Sequence, residues 1–314
     1  MSQLPTIEGV EVFLPRRAIS LEESVVGFGL SRPQVRMLRR LHGFDEIRTD
    51  PDLPLLDLVT TAAREVLRTI ADTATVKYVI FAHTVQTISP SHVHMAEAIS
   101  ASLGLTEAES FTISQQHCAN SLSALDIAGE LLHADGDPAA RVLLVTGEKR
   151  LPSLAGVLGV STAIGEASAA CLIGLDGNGD RVLSYADRTR GVPPESTWEE
   201  YPSIAMAQYA EDLVYVIGEA LRRANTQISD IDMVVPHNVS RMLWYRTSEA
   251  LGIDRRRVFL DTVGPNGHCY CSDPFLNLVA MAEGGRLVPG RRYLLTSVGL
   301  GATHTAVVIE CRRG

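Results

Sequence analysis

No apolar run in this sequence approaches the roughly 20 residues that a membrane-spanning helix needs, so a helical membrane protein is excluded. The opening stretch, MSQLPTIEGVEVFLP, lacks the basic start and apolar block of a secretory signal, and a cytoplasmic location is expected. Positive charge is also short. A formal net charge of −9 argues against nucleic acid as a partner. Cysteine is scarce, with five in 314 residues: Cys118, Cys171, Cys269, Cys271 and Cys311. An odd, sparse set suits a reducing compartment better than a disulfide framework. Cys269 and Cys271 flank one tyrosine with no second cysteine pair nearby, so no metal site is expected.

Apolar residues make up 46% of the chain, enough for a sizeable core, and the length implies two domains or one large α/β unit. The stretch around which the rest is arranged is Phe111–Leu132, FTISQQHCANSLSALDIAGELL. Thr112 and Ile113 end a strand, a tight turn carries His117 and Cys118, and a helix follows. Its apolar positions Leu122, Leu125, Ala128, Leu131 and Leu132 recur at helical spacing, with Ala119, Ser121, Ser123 and Ala124 between them. Small residues beside an apolar stripe indicate a helix packed tightly on more than one side. Cys118 then sits where a buried helix begins, and the positive helix end favours thiolate, the nucleophilic form. A buried structural cysteine is the competing reading of that residue alone.

The two parts of the chain repeat one another. TVKYVIFAHT at 75–84 resembles DIDMVVPHNV at 230–239, and RVLLVTGE at 141–148 resembles RRYLLTSVG at 291–299. ASAACLIGL at 167–175 answers TAVVIE at 305–310, and the His-Cys pair at 117 recurs 151 residues later, at 268. Strands alternate with helical stretches at 53–70, 91–103, 204–224, 241–251 and 274–283. A basic helical stretch lies at 32–40. This pattern predicts a duplicated α/β fold, with residues 1–175 as one half and 204–314 as the other. Residues 176–203, rich in glycine, proline and charge, read as a linker or surface excursion. Ligands of such folds gather at the C-terminal ends of strands, which here carry Cys118, His237 and His268.

These features, in this order, resemble the thiolase superfamily, and most closely its β-ketoacyl-acyl-carrier-protein synthase III branch. The resemblance covers essentially the whole chain. The nucleophile element aligns at Cys118, and the usual Pro-His-Gln-Ala-Asn stands here as Pro236-His237-Asn238-Val239-Ser240. A Gly-Asp-Gly-Ala-Gly-Ala segment appears in altered form as GEASAA at 165–170, and the closing glycine-rich loop is Gly299-Leu300-Gly301-Ala302. The fold implied is a layered α/β/α/β/α core made of two similar βαβαβ-type halves, in a homodimer.

One departure matters for function. A condensing synthase carries Gly-Asn-Thr-Ser-Ala-Ala-Ser where this chain has Gly267-His268-Cys269-Tyr270-Cys271-Ser272-Asp273. The enolate-stabilising asparagine is therefore His268, and an aspartate follows five positions later. The resemblance implies that Cys118 takes an acyl group from an acyl-carrier protein or CoA thioester, with no permanently bound cofactor. Backbone N–H groups of Cys118 and of the 299–301 loop, at Leu300 between Gly299 and Gly301, would stabilise the oxyanion. His237 is expected as general base, with Asp273 orienting it in a Cys-His-Asp arrangement. Ser272-Asp273-Pro274 before an apolar helix is also an N-cap signature, and the two roles are compatible because a carboxylate has two oxygens.

A base strengthened by a carboxylate suits deprotonation of an alcohol or amine, whereas loss of the asparagine harms only condensation. The leading expectation is thus acyl transfer to a small-molecule acceptor, as in the synthase III-like acyltransferases of natural-product pathways. Decarboxylative condensation through a Cys-His-His set is the second, and a silent partner subunit of a ketosynthase the third. His83 is expected to be structural, and His92 and His94 to lie on the surface or at an interface. Gln115, Gln116 and His117 would make one pocket wall bulky and polar. Arg36, Arg39 and Arg40 are either a face for an acidic carrier protein or merely solvated.

Overall fold

The computed structural model describes residues 4–23, 30–150, 161–175, 177–191, 193, 195–197 and 200–312. The strands are β1 (Pro5–Phe13), β2 (Ala18–Ser20), β3 (Glu46–Arg48), β4 (Val76–Ala82), β5 (Glu109–Ile113), β6 (Arg141–Glu148), β7 (Ala167–Leu175), β8 (Asp180–Thr189), β9 (Ile231–Val235), β10 (Arg292–Gly299) and β11 (Thr303–Glu310). The helices are α1 (Arg32–Met37), α2 (Leu55–Leu67), α3 (Met95–Ser102), α4 (Asn120–Asp135), α5 (Tyr201–Arg223), α6 (Arg241–Leu251) and α7 (Asp273–Glu283). β2 and β3 form a separate two-stranded ribbon.

The duplication is visible in the sheet, whose order is β5-β4-β6-β7-β1-β8-β11-β10-β9. In one half β4 pairs parallel with β6, β6 antiparallel with β7, and β7 antiparallel with β1. In the other, β9 pairs parallel with β10, β10 antiparallel with β11, and β11 antiparallel with β8. The two sets have the same sense, and they join where Thr6 and Ile7 of β1 meet Arg181 and Asp180 of β8. Interior strands such as β4 (VKYVIFA) read as near-continuous apolar runs because helices cover both of their faces.

Two helices lie between the halves. Leu122, Leu125, Ala128 and Leu132 of α4 and Phe275, Leu278 and Met281 of α7 share one core with Ile80, Val142 and Leu144 from one half-sheet. The same core takes Val235, Tyr293, Leu295, Val307 and Ile309 from the other. The small residues flanking the α4 stripe let it contact strands of both halves, as the sequence predicts. α2 and α3 cover the outer face of one half-sheet and α5 and α6 that of the other, giving the α/β/α/β/α layering. Leu125 is fully buried, and its replacement by Ala removes roughly 2–5 kcal/mol of stability.

The stretch 176–203 departs from the sequence expectation. Of it, positions 176, 192, 194, 198 and 199 lie outside the described residues. Residues 180–189 are a full strand, β8, not a linker. Its inward positions alternate as Val182, Ser184 and Ala186, so small residues hide the strand signal that a larger apolar set would give. The helix expected over 53–70 is shorter, because Asp52 stands outside it and does not cap it. Pro54 occupies that cap without a side-chain bond, and the helix begins at Leu55.

Candidate active site

The strand order brings several C-terminal strand ends together, and the chemistry-bearing residues stand on them. Thr84 follows β4, Cys118 follows β5, Glu148 closes β6, His237 follows β9 and Gly299 closes β10. Cys118 lies in a single 3₁₀ turn, His117–Ala119, that runs straight into α4. His117, at φ 52°, makes the bend from strand to helix. A non-glycine residue rarely adopts this left-handed conformation, and tertiary contacts hold it here. Its ring Nδ1 lies 2.9 Å from the Thr84 carbonyl and donates to it. Asn120 braces the same turn from the other side: its Oδ1 accepts from the Gln116 N–H at 3.1 Å, and its Nδ2 donates to the His83 carbonyl at 2.7 Å. Cys118 itself is 4% exposed, and its carbonyl accepts from the Ser297 hydroxyl at 2.7 Å.

His268 is the imidazole that faces the sulfur, with Nε2 at 3.3 Å from Cys118 Sγ. Its other nitrogen, Nδ1, donates to Asp273 Oδ2 at 2.5 Å. The chain is therefore Cys118–His268–Asp273, which corrects the expectation that Asp273 orients His237. Asp273 also accepts the backbone N–H of Asn238 on Oδ2 at 2.6 Å and that of Cys269 on Oδ1 at 2.7 Å. These bonds replace the expected cap. Asp273 is the first residue of α7 with Pro274 behind it, and neither oxygen turns to the helix's own first turn. Burial opposes a charge on His268, but the Asp273 carboxylate and Cys118 outweigh it and raise its pKa to about 10. The geometry thus favours an imidazolium beside the sulfur.

His237 is placed differently. It is fully buried at the end of β9, and its backbone N–H donates to the Thr296 carbonyl at 3.1 Å. Its ring lies 6.1 Å from that of His268, at 72°, and 6.4 Å from that of Trp244. Neither ring nitrogen makes a well-formed hydrogen bond among the described residues. Burial first, and then His268 and His304, hold His237 well below the usual histidine range, so it is neutral.

The glycine-rich turn closes the site. A Cβ at Gly299 would stand 1.9 Å from the Gln116 carbonyl oxygen, so only glycine lets the β10–β11 hairpin reach the Cys118 turn. Leu300 and Gly301 form the tip of that hairpin, and Gly301 has φ 82°. His83 is buried, its carbonyl bonded to Asn120, and His92 and His94 are exposed, as expected. Arg39 is engaged with Glu22 and Asp45 on the surface.

Sequence reasoning missed three supports. Asn277 Nδ2 donates to the Pro236 carbonyl at 2.6 Å and to Asn238 Oδ1 at 2.9 Å, tying α7 to the His237 loop. Its signal is an asparagine inside the otherwise apolar PFLNLV. The other two are Thr84 and Glu148, each visible only as a polar residue ending an apolar strand. Among the described residues no cluster of three or more His, Cys, Asp or Glu is placed to hold a metal ion. Nor is any helix long and apolar enough to cross a membrane.

Comparison with known proteins agrees with this fold. The family "3-Oxoacyl-[acyl-carrier-protein (ACP)] synthase III C terminal" matches residues 221–311. β-Ketoacyl-[acyl-carrier-protein] synthase III of Staphylococcus haemolyticus is 26% identical over 178 residues, 54% of this chain and 56% of that enzyme. The Coxiella burnetii enzyme of the same name is 25% identical over 214 residues, 62% of this chain and 64% of its own length. Solved structures match almost end to end. The acyltransferase ChlB3 superposes with a TM-score of 0.85 at 20% identity, covering 98% of each chain. The synthase III FabH of Pseudomonas aeruginosa superposes with 0.83 at 20% identity, covering 99% of each. The fold is that of the thiolase-like enzymes, duplicated, with the Cys118 turn at the junction of the halves. The chain is thus similar in sequence to β-ketoacyl-acyl-carrier-protein synthase III enzymes over part of their length, and it shares the fold of these thiolase-like proteins.

Proposed function

We propose that the protein is an acyltransferase that moves an acyl group from an acyl-carrier-protein or CoA thioester to a hydroxyl or amine of a small molecule, in natural-product biosynthesis. The observation that carries this reading is the continuous contact from Cys118 Sγ through His268 to the Asp273 carboxylate. In the first half-reaction the Cys118 thiolate attacks the thioester carbonyl. The tetrahedral oxyanion, held by the N–H groups of Cys118 and Leu300, collapses with cleavage of the carbon–sulfur bond to the carrier. The departing carrier thiolate takes the proton from His268. In the second, neutral His268 removes the proton of the acceptor hydroxyl or amine as it attacks the acyl-Cys118 carbonyl, and the Cys118 thiolate leaves. Asp273 steadies the imidazolium that forms in each cycle. The base role expected of His237 thus passes to His268. His237, neutral and with both ring nitrogens open, is available to the bound acyl group or acceptor. No bound cofactor enters the reaction.

The paired imidazoles of His237 and His268 support a second reading, decarboxylative condensation. Intact-protein mass spectrometry against acyl and malonyl thioesters separates the two. Acyl transfer predicts an adduct on the Phe111–Leu132 peptide that an added alcohol or amine discharges, without carbon dioxide release. Carbon dioxide with a β-keto product instead establishes condensation. A homodimer joined at the open sheet edge, where β5 carries partly buried Phe111 and Ile113, completes the proposed assembly.

A further inference from the structure

Every polar atom of Thr84, which is 2% exposed, is committed to the neighbourhood of the nucleophile. Its N–H donates to Glu148 Oε2 at 2.8 Å, and the next N–H, of Val85, donates to Glu148 Oε1 at 2.7 Å. Its carbonyl accepts from the His117 ring that makes the left-handed bend. Its hydroxyl lies 3.5 Å from Cys118 Sγ and 3.3 Å from Cys271 Sγ. The Cys271 thiol donates its one hydrogen to the His117 carbonyl at 3.1 Å, and burial pushes its pKa well up, so it stays a neutral thiol. The Glu148 carboxyl also competes for the hydroxyl hydrogen. When Cys118 carries the negative charge that nucleophilic attack requires, that hydrogen goes to its sulfur in preference to the neutral Cys271, because hydrogen bonds to ions are the stronger kind.

Glu148 explains why the hydroxyl stands there. The carboxyl group is 1% exposed and has no Lys or Arg at ion-pair distance among the described residues, since neighbouring Lys149 turns instead to Glu166 at 2.8 Å. Burial lifts its pKa to about 7, against the N–H groups of Val85 and Thr84, the Thr84 hydroxyl and nearby His268. A buried acid without a cation is costly, and its two oxygens serve the turn after β4. We propose that the Thr84 hydroxyl is a second donor to the Cys118 sulfur, acting beside His268 to stabilise the thiolate, and that Glu148 is the positioning residue that holds Thr84 in place. This inference rests on Cys118 being the nucleophile.

The test uses the full-length protein and iodoacetamide, which reports thiolate without any acyl donor or acceptor. Alkylation rates mapped to Cys118 by mass spectrometry are followed from pH 5 to pH 9. Thr84→Val keeps the shape and loses the hydroxyl. Its rate below neutrality falls roughly ten- to hundredfold, the scale of one lost hydrogen bond to a charged group, and the pH profile moves upward. Thr84→Ser restores the wild-type profile, and Thr84→Ala shifts it as valine does, should valine not be accommodated. Glu148→Gln turns an amide toward one of the two N–H donors and moves the profile in the same direction. If Glu148 acts through Thr84, the double variant Thr84→Val/Glu148→Gln matches Thr84→Val alone, and additive shifts overturn the positioning role. A Thr84→Val profile that coincides with wild type, or a Thr84→Ser variant that fails to rescue, overturns the donor role while leaving Cys118 as nucleophile. Labelling on Cys271 instead of Cys118 overturns the reading of the site and this inference with it.

Discussion

The turn that carries Cys118 and the turn that carries Cys271 begin with the same backbone irregularity, His117 at φ 52° and Tyr270 at φ 54°. In each, one 3₁₀ turn leads directly into a helix of the central layer, α4 or α7. The structural repeat is therefore 153 residues, from 117 to 270, and not the 151 suggested by the His-Cys pairs. Cys271, not Cys269, is the counterpart of Cys118. Backbone and helix end are shared, so neither sets the two sulfurs apart. The difference is in the partners. Both sulfurs lie near the Thr84 hydroxyl, but Cys118 faces His268, itself backed by Asp273, whereas Cys271 faces a backbone carbonyl and is buried as a thiol. A helix start is common to both turns. The imidazole and its carboxylate stand beside Cys118 alone of the two, and on the proposed function they single it out as the nucleophile.

The sharpest way to break this comparison is to remove each sulfur in turn. Cys118→Ala abolishes the acyl adduct and lowers turnover by roughly 10⁴-fold or more, the scale of losing a catalytic nucleophile. Cys271→Ser leaves the adduct on the Phe111–Leu132 peptide. An adduct that survives in Cys118→Ala and moves to Cys271 would mean that the two turns are chemically equivalent.

Next come the two imidazoles. His268→Ala slows discharge of the acyl-enzyme by about 10³-fold, in the range of a positioned general base, while His237→Ala slows it by roughly tenfold. Single-turnover transfer from isolated acyl-enzyme measures both, and the reverse order returns the base role to His237. Asp273→Asn follows. Three N–H donors converge on that carboxylate, so an amide turns its own donor toward at least one of them. Transfer falls by roughly 10²–10⁴-fold and stability by about 2 kcal/mol, read from urea midpoints. A cap with no catalytic part would show neither loss, since asparagine caps as well as aspartate.

The smallest effect is in the pH dependence of stability. His268 is raised from an ordinary 6.5 to about 10 in the folded state. The stabilisation from its charge is therefore complete below about 6.5 and is lost as pH rises through about 10. The urea midpoint of wild type exceeds that of His268→Gln most at pH 6, and the gap narrows by pH 10. A gap that widens with pH would show that His268 is neutral in the fold.

Much of this architecture could be read from residues. The apolar strands at 76–82, 141–148 and 292–299, the small residues along α4 and the cysteine before it are all local signals, and they repeat. The pairing inside the site was not readable. Whether Asp273 serves His237 or His268 depends on Tyr270 taking a left-handed conformation, which folds His268 back over the start of α7. Nothing in the composition of GHCYCSD announces that. Thr84 and Glu148 escaped for another reason. Thr84 follows one buried strand and Glu148 ends another, and both look like ordinary punctuation until the sheet order sets β4 between β5 and β6.

Gly299 has a consequence for how the protein is made. The hairpin it belongs to touches the Gln116 carbonyl, and His268 and Asp273 also come from the second half of the chain. A ribosome delivers Cys118 well before any of them. The emerging first half thus carries its cysteine without the imidazole that faces it or the backbone that seats it. On the proposed function, reactivity arrives only when the last strands dock, and the unfinished chain is spared acylation during synthesis.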